Sequence, residues 1–309
     1  MNQCETIRYL RQGEIDIERW DNCICNSINS LPYAFSWYLD RIAVTWDALV
    51  MGDYLYVMPL PTGRKVGIRY LMQPLFMQQL GIFSPSGTST ELVNLFLEAI
   101  PGKFRYINLN LNSLNYPVSV PFSLKENTNY QLDLSLDYSD LCSGYSENTK
   151  RNLKLSGKNG LQVVEVHNPN AFTDFVKESF SKKVTGIQER HYSGIRALIN
   201  FTALHHSGRI LGVYSQNNSL CAAAFFLNSA GKHFYLLAAS NQEGAELRAM
   251  FLLVDHYIKA RAGKQEILDF EGSNRAGIAR FFAGFGAVPA KYQTIMRNRL
   301  PWPINLLKK

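Results

Sequence analysis

The chain has 309 residues, 46% of them apolar, and carries 32 Lys and Arg against 25 Asp and Glu for a net charge of +7, which is enough apolar material for two domains of ordinary size. No run of eighteen apolar residues occurs and the N-terminus MNQCETIRYLRQGEIDIERW is polar and charged, so neither a membrane span nor a signal peptide is expected, and the expected location is cytoplasmic. Five widely spread cysteines (Cys4, Cys23, Cys25, Cys142, Cys221) fit reduced thiols, and Cys23-Ile-Cys25 lacks the second Cys or His cluster that a metal site needs.

In chain order, the aromatic stretch YAFSWYLD comes first, followed by WDALVMGDYLYVMPLPTG, which reads as two short strands around a Gly-Asp turn. KVGIRYLMQPLFMQQLGIFS reads as extended segments, residues 90–100 as an amphipathic helix, 104–111 as a strand, and NYQLDLSL as the strand that closes this half. SENTKRNLKLSGKNG then reads as a basic helix ended by Gly160, and LQVVEVH as a strand. NPNAFTDFVKESFSKK and YSGIRALINFTALHHSG are helices. RILGVYSQNNSLCAAAFFLNSAGKHFYLLAAS gives a three-stranded meander with Asn-Asn and Ala-Gly turns. A helix over 246–261, the strand EILDFEG, a helix over 276–284 and the strand AKYQTIMRN complete the chain.

Two stretches echo each other: TELVNLFLEAIPGKFRYINLNLN and AELRAMFLLVDHYIKARAGKQEILDFEGS each give an amphipathic helix, a Gly/Lys turn and an alternating strand. The charge is divided unevenly, with a net −4 over residues 1–145 and +11 over 146–309. A basic second half suits an anionic partner such as a nucleotide-bearing donor, an RNA or a membrane surface, and equally a solvated cationic face.

The order of elements in the second half, and the run DFEGSNRAGIARFFAGFGA that leads from a strand through a polar turn into an alanine-bearing helix and Phe285-Gly286-Ala287, resembles the GNAT acyltransferase fold. With the preceding half and YSENTKRNLKLSGKNG at the junction, the chain resembles the Fem-type branch of peptidoglycan-bridge aminoacyltransferases. The resemblance implies an α/β (α+β) fold of two tandem GNAT-like domains, 1–143 and 144–309, each a mixed, largely antiparallel sheet flanked by helices. It further implies transfer of an acyl or aminoacyl group to the amine of a small-molecule, peptide or cell-wall-precursor acceptor. The donor would be acyl-CoA or, alternatively, an aminoacyl-tRNA, with no metal. At the place of the superfamily's phosphate loop, Asn241-Gln242-Glu243-Gly244-Ala245-Glu246 keeps only Gly244. Phe282 stands where a tyrosine general acid is common, and Ala283 where bridge-forming enzymes carry a lysine. A non-catalytic binding protein that kept the fold is the other reading.

Asp269 and Glu271, two apart on the expected strand, would share one face, where one carboxylate raises the pKa of the other and a base for the attacking amine results. A pair of solvated turn carboxylates, with Ser273 or Asn274 capping the next helix, is the structural alternative. Lys150, Arg151, Lys154 and Lys158 recur at helical spacing and, with Gly244 and Asn274, are candidates for holding the donor's phosphates, or else form a solvated face. Trp37 and Tyr38, Gln78 and Gln79, and Arg190 and Tyr192 are candidates for the acceptor groove, although the aromatics suit a core equally well. His191 suits a proton carrier or a structural role, and His205-His206 suits a helix C-terminus. No Gly-x-Ser-x-Gly elbow, Gly-Lys-Ser/Thr phosphate loop or His-Glu-x-x-His occurs, which removes the hydrolases, NTPases and metalloproteases built on those motifs.

Overall fold

The computed structural model describes residues 6–180, 186–272 and 274–307; Cys4 and Ser273 lie outside these. The first half runs β1 (Arg8–Leu10), α1 (Ile17–Asn26), α2 (Ser36–Ile42), β2 (Trp46–Met51), β3 (Tyr56–Lys65), β4 (Ile68–Met72), α3 (Thr90–Glu98), β5 (Phe104–Asn110) and β6 (Ser123–Asp133). The second runs α4 (Tyr138–Ser143), α5 (Glu147–Ser156), β7 (Gln162–Glu165), α6 (Pro169–Phe180), α7 (Glu189–Leu204), β8 (Gly208–Tyr214), β9 (Leu220–Ser229), β10 (Lys232–Ser240), α8 (Gln242–Glu246), α9 (Ala249–Arg261), β11 (Ile267–Asp269), α10 (Ala276–Ala283) and β12 (Val288–Asn298).

Local chemistry accounts for the helices. Ser89 accepts a hydrogen bond from the Leu92 N–H and starts α3, which buries Val93, Phe96 and Leu97 on one face. Ser146 caps α5 through the Thr149 N–H; Thr149, Asn152 and Ser156 face inward and the cations outward. The turn joining β9 to β10 places Ala230 and Gly231 at φ 50° and 73°, the left-handed pair that a two-residue hairpin needs.

The chain divides into two compact units, 1–127 with 291–309, and 128–290. The strands of the first are ordered β1-β2-β3-β4-β5-β12 and those of the second β7-β8-β9-β10-β11-β6. In each unit one neighbouring pair is parallel, β4 with β5 and β10 with β11, and the other pairings given by register are antiparallel. The same topology therefore occurs twice, each time with a helix, α3 or α9, crossing between the parallel strands. The sixth strand of each unit comes from the other half of the chain, since β12 pairs with β5 and β6 with β11. That exchange is why the units divide at 127/128 and 290/291 and not at the 143/144 boundary expected for contiguous halves.

Each unit has its own core. Leu60, Val93, Phe96, Leu97, Ile107 and Ile295 are among the side chains that fill the first. The second contains Leu253, Val254, Tyr257, Phe270, Phe282 and Phe285, each fully buried apolar side chain being worth roughly 1.5–3 kcal/mol. The helix expected over 246–261 is α9, which begins at Ala249 after Arg248 takes a left-handed φ of 61°; the short α8, ending at Glu246, precedes it.

Candidate active site

A cleft of about 600 Å³ opens in the second unit, within the size range of small-molecule sites. Its cause is the parallel pair: β10 and β11 match register over Lys232–Phe234 and Ile267–Asp269 only. Beyond that point the Phe270 N–H bonds to the Tyr130 carbonyl at 2.9 Å, following β6, and the two chains part. Tyr235 to Ser240 form one wall, Phe270 to Gly272 with Gly277, Ile278, Phe281 and Phe282 of α10 the other, and Gly244, Ala245, Arg248, Met250 and Phe251 one end.

Strand β10 is irregular where it lines this cleft. Its register against β9 slips between Tyr235 and Leu237, so one residue is extra and the side chains beyond it change face. Tyr235 and Ala238, three apart, consequently pack on the same core cluster. The bulge also leaves the strand backbone at Leu236, a lining residue, out of the regular ladder.

The two carboxylates expected on one strand face are separated by the structure. The strand ends at Asp269, which is 2% exposed and accepts from Asn129 Nδ2, Gln131 Nε2 and the Glu271 N–H, each at 2.8 Å. Burial pushes its carboxyl above the usual carboxylate range, with those donors opposing. Glu271 has a left-handed φ of 58° and Gly272 one of 56°. A Cβ on Gly272 would collide with the Thr128 carbonyl, so glycine is needed there on two counts. This turn directs half-buried Glu271 into the cleft wall while Asp269 stays outside the lining. Phe270 packs into the core, stacked on Phe282 at 4.8 Å.

The expected phosphate contacts are not gathered at the cleft. Lys150, Arg151 and Lys154 are exposed on α5, and none lines it; Lys150 Nζ meets Glu147 at 3.3 Å and Arg151 meets Asn148 at 2.9 Å. Gly244 does line it, but its N–H donates to Asn241 Oδ1 at 2.8 Å, and a Cβ there would run into the Cys221 carbonyl, so packing accounts for this glycine. Asn274 accepts from the Thr128 N–H at 3.3 Å, and the N-cap position of α10 is Arg275, without a side-chain cap bond.

The acceptor candidates are dispersed. Tyr38 is fully buried, its hydroxyl donating to the Phe76 carbonyl; Trp37 stacks on Phe35 at 5.8 Å. Gln79 is 4% exposed and accepts from the Ser113 N–H at 3.0 Å, while Gln78 accepts from Gln79 at 2.6 Å. Tyr192 is buried on α7, Arg190 is exposed, and His191 caps that helix by accepting the Gln188 N–H at 2.8 Å. His205 terminates α7 and packs on Phe201.

Tyr235, Arg248 and the apolar walls were not singled out from sequence; only the bulge and the parting of strands bring them together. Among the described residues no group of three or more His, Cys, Asp or Glu is arranged to hold a metal, and no helix is long and apolar enough to cross a membrane.

Repeated meander-crossover units with a cleft at the parting of the parallel strands define a tandem GNAT-like fold of the Fem type. No family model matches the sequence, and no curated protein does. Solved structures do share the fold. The chain is similar to FemX, with a TM-score of 0.67 at 12% identity over 97% of this chain and 99% of that one. It is also similar to a conserved protein of unknown function from Bacteroides thetaiotaomicron, with a TM-score of 0.56 at 13% identity over 94% and 100%. The Saccharomyces cerevisiae N-myristoyltransferase with bound myristoyl-CoA aligns with a TM-score of 0.50 at 10% identity over 96% and 80%.

Proposed function

We propose that the protein is an N-acyltransferase, carrying an acyl or aminoacyl group from an activated ester or thioester to an amine in the cleft of the second unit. The observation that carries this reading is the cleft itself: apolar walls, an irregular strand backbone on one side and a single carboxylate, Glu271, on the other. Apolar walls exclude water and strengthen every polar contact made at the reacting carbonyl. Backbone amides at the bulge are suited to polarising that carbonyl, and Glu271 is suited to taking the proton of the attacking amine. Holding both substrates in one cleft supplies the rest. The likeness to transferases of this fold supports the reading by analogy.

An acyl thioester such as acyl-CoA fits the apolar walls better than it fits the turn before α9, where Gly244 already spends its N–H and Glu243 and Glu246 add negative charge. A second reading, with an aminoacyl-tRNA as donor, is favoured by the exposed cations Lys150, Arg151, Lys154 and Lys158 of α5 and the segment after it.

The test is transfer to a primary amine from acetyl-CoA, longer acyl-CoAs and aminoacyl-tRNA, run with the wild type and with Glu271→Gln. The variant should melt at the same temperature and turn over on the order of 10²-fold more slowly, the scale of general-base loss. Thermal stabilisation by a donor without turnover would instead mark a binding protein that kept the fold.

A further inference from the structure

We propose that one end of the first unit's sheet docks on a lipid surface rich in anionic headgroups. The inference stands on the first unit alone and does not depend on the acyl-transfer reading.

Four neighbouring strands bring this surface together. Arg64 of β3 lies directly opposite Arg69 of β4, and Arg69 is level with Phe104, the first residue of β5. Just beyond β12, the Arg299 N–H donates to the Arg105 carbonyl at 2.7 Å. Arg64, Lys65, Arg69, Arg105 and Arg299 are thereby gathered along one end of the sheet, about 14 Å wide at three strand spacings, and all five are exposed. None of them is in an ion pair among the described residues. Like charges directly opposite each other on a sheet are destabilising, so the Arg64–Arg69 pair has a cost that no such partner offsets. Asp47 of β2 accepts from the Tyr9 hydroxyl instead, and Glu98, exposed at the end of α3, is in no ion pair either.

Two exposed apolar side chains sit at the same end. The two-residue turn between β3 and β4 is Val66-Gly67, with φ of 48° and 77°, and Val66 is 87% exposed. A β-branched residue in the left-handed region is an outlier where Asn or Gly is the ordinary choice, so neither conformation nor solubility accounts for valine here. Three residues past Arg299, Trp302 is 80% exposed. It is kept at the end of β12 because Asn298 Nδ2 donates to the Asn305 carbonyl at 3.1 Å and closes the loop that carries it. These are two of the three most exposed large apolar side chains among the described residues. Cations that meet phosphate headgroups, beside a tryptophan and an apolar turn that enter the headgroup boundary, are the chemistry of an interfacial anchor. A nucleic acid would use the same cations but has no use for Val66.

The experiment is co-sedimentation of the full chain with vesicles of phosphatidylcholine alone or mixed equally with phosphatidylglycerol, at low and high salt, with a single-stranded RNA as a soluble polyanion. The wild type should bind the mixed vesicles, leave those of phosphatidylcholine alone, and lose affinity as salt rises. Replacing Arg64, Arg69 and Arg299 together by Gln should weaken binding on the order of 10²-fold, roughly fivefold per cation. Val66→Asn combined with Trp302→Gln keeps every charge; it should weaken vesicle binding severalfold and leave any binding of RNA unchanged. All the substituted side chains are exposed, and Asn tolerates a left-handed φ better than Val, so both variants should melt no lower than the wild type. A wild type that ignores the mixed vesicles, or either variant binding them as tightly as the wild type, would overturn the proposal. Binding of RNA in place of vesicles would overturn it in favour of a nucleic-acid surface.

Discussion

Asp269 and Glu271 are two residues apart and do different work. Asp269 gathers two side-chain amides of β6 and the N–H of Glu271 inside the protein, and so fixes the left-handed turn that turns Glu271 toward the cleft. Its raised pKa has a consequence for stability. A carboxyl whose folded pKa lies above its unfolded value, about 3.9, holds its proton longer in the folded state. Its contribution is therefore full below that unfolded value and is lost as the pH rises through the folded pKa. Asp269→Asn cannot ionise, so the difference in unfolding free energy between wild type and variant should shrink as the pH rises from about 4 toward neutrality. Urea unfolding across that range measures it; a difference constant with pH would mean that Asp269 titrates at its ordinary value. Asp21 and Asp255 are also raised by burial, and taking the difference removes their share.

At the scale of elements, the cleft results from two departures from regularity, the slip in β10 after Tyr235 and the parting of β11 from β10 after Asp269. Its end wall depends on α8, a five-residue helix seated directly on β9 through Gly244. The Asn241 side chain completes that seat by accepting the Gly244 N–H. Gly244→Ala puts a methyl group against the Cys221 carbonyl and the Ser240 hydroxyl, and both α8 and β9 must shift to take it. The variant should lose roughly 1–3 kcal/mol, the usual scale of overpacking, and should weaken donor binding because α8 forms one end of the cleft. Chemical denaturation gives the first quantity and donor titration the second; wild-type stability would show that the seat is loose.

At the scale of the whole molecule, the chain builds one topology twice and exchanges the sixth strand. Among the described residues, the apolar cleft described above lies in the second copy. The equivalent place in the first is occupied by its own chain: Gln73 donates its N–H to the Asn108 carbonyl, and after a short excursion the Leu80 N–H returns to the Asn110 carbonyl. The positive charge is concentrated after residue 145, and part of it lies on the outer face of α5, where no cleft residue is found. Replacing Lys150, Arg151 and Lys154 together by Ala should leave kcat/KM for an acyl-CoA within about twofold. Under the tRNA reading the same variant should bind tRNA more weakly and with a shallower salt dependence, because fewer counterions are released. Filter binding at several salt concentrations separates these outcomes, and a large loss on acyl-CoA would return the α5 cations to the donor site.

Periodicity, turn residues and caps are local, and they are enough to read the meander and the echo of helix, turn and strand in the two halves, whereas the tandem GNAT-like fold is implied by the resemblance of the element order and of the run from Asp269 to Ala287. The first helices and the break before α9 were missed, since Arg248 carries no residue-type signal for a left-handed φ. Strand exchange is a long-range pairing, invisible in a segment such as AKYQTIMRN, whose alternation is the same whichever partner it finds. The candidate site was half legible for a related reason. Glu271 was singled out as a carboxylate near a strand end, but alternation places it beside Asp269, and only the left-handed turn held by Asp269 and Gly272 sends it into the cleft. Tyr235 reads as any aromatic in a buried strand; a one-residue slip in register and the parting of two parallel strands, decided by pairing and packing across the unit, make it a lining residue of the cleft.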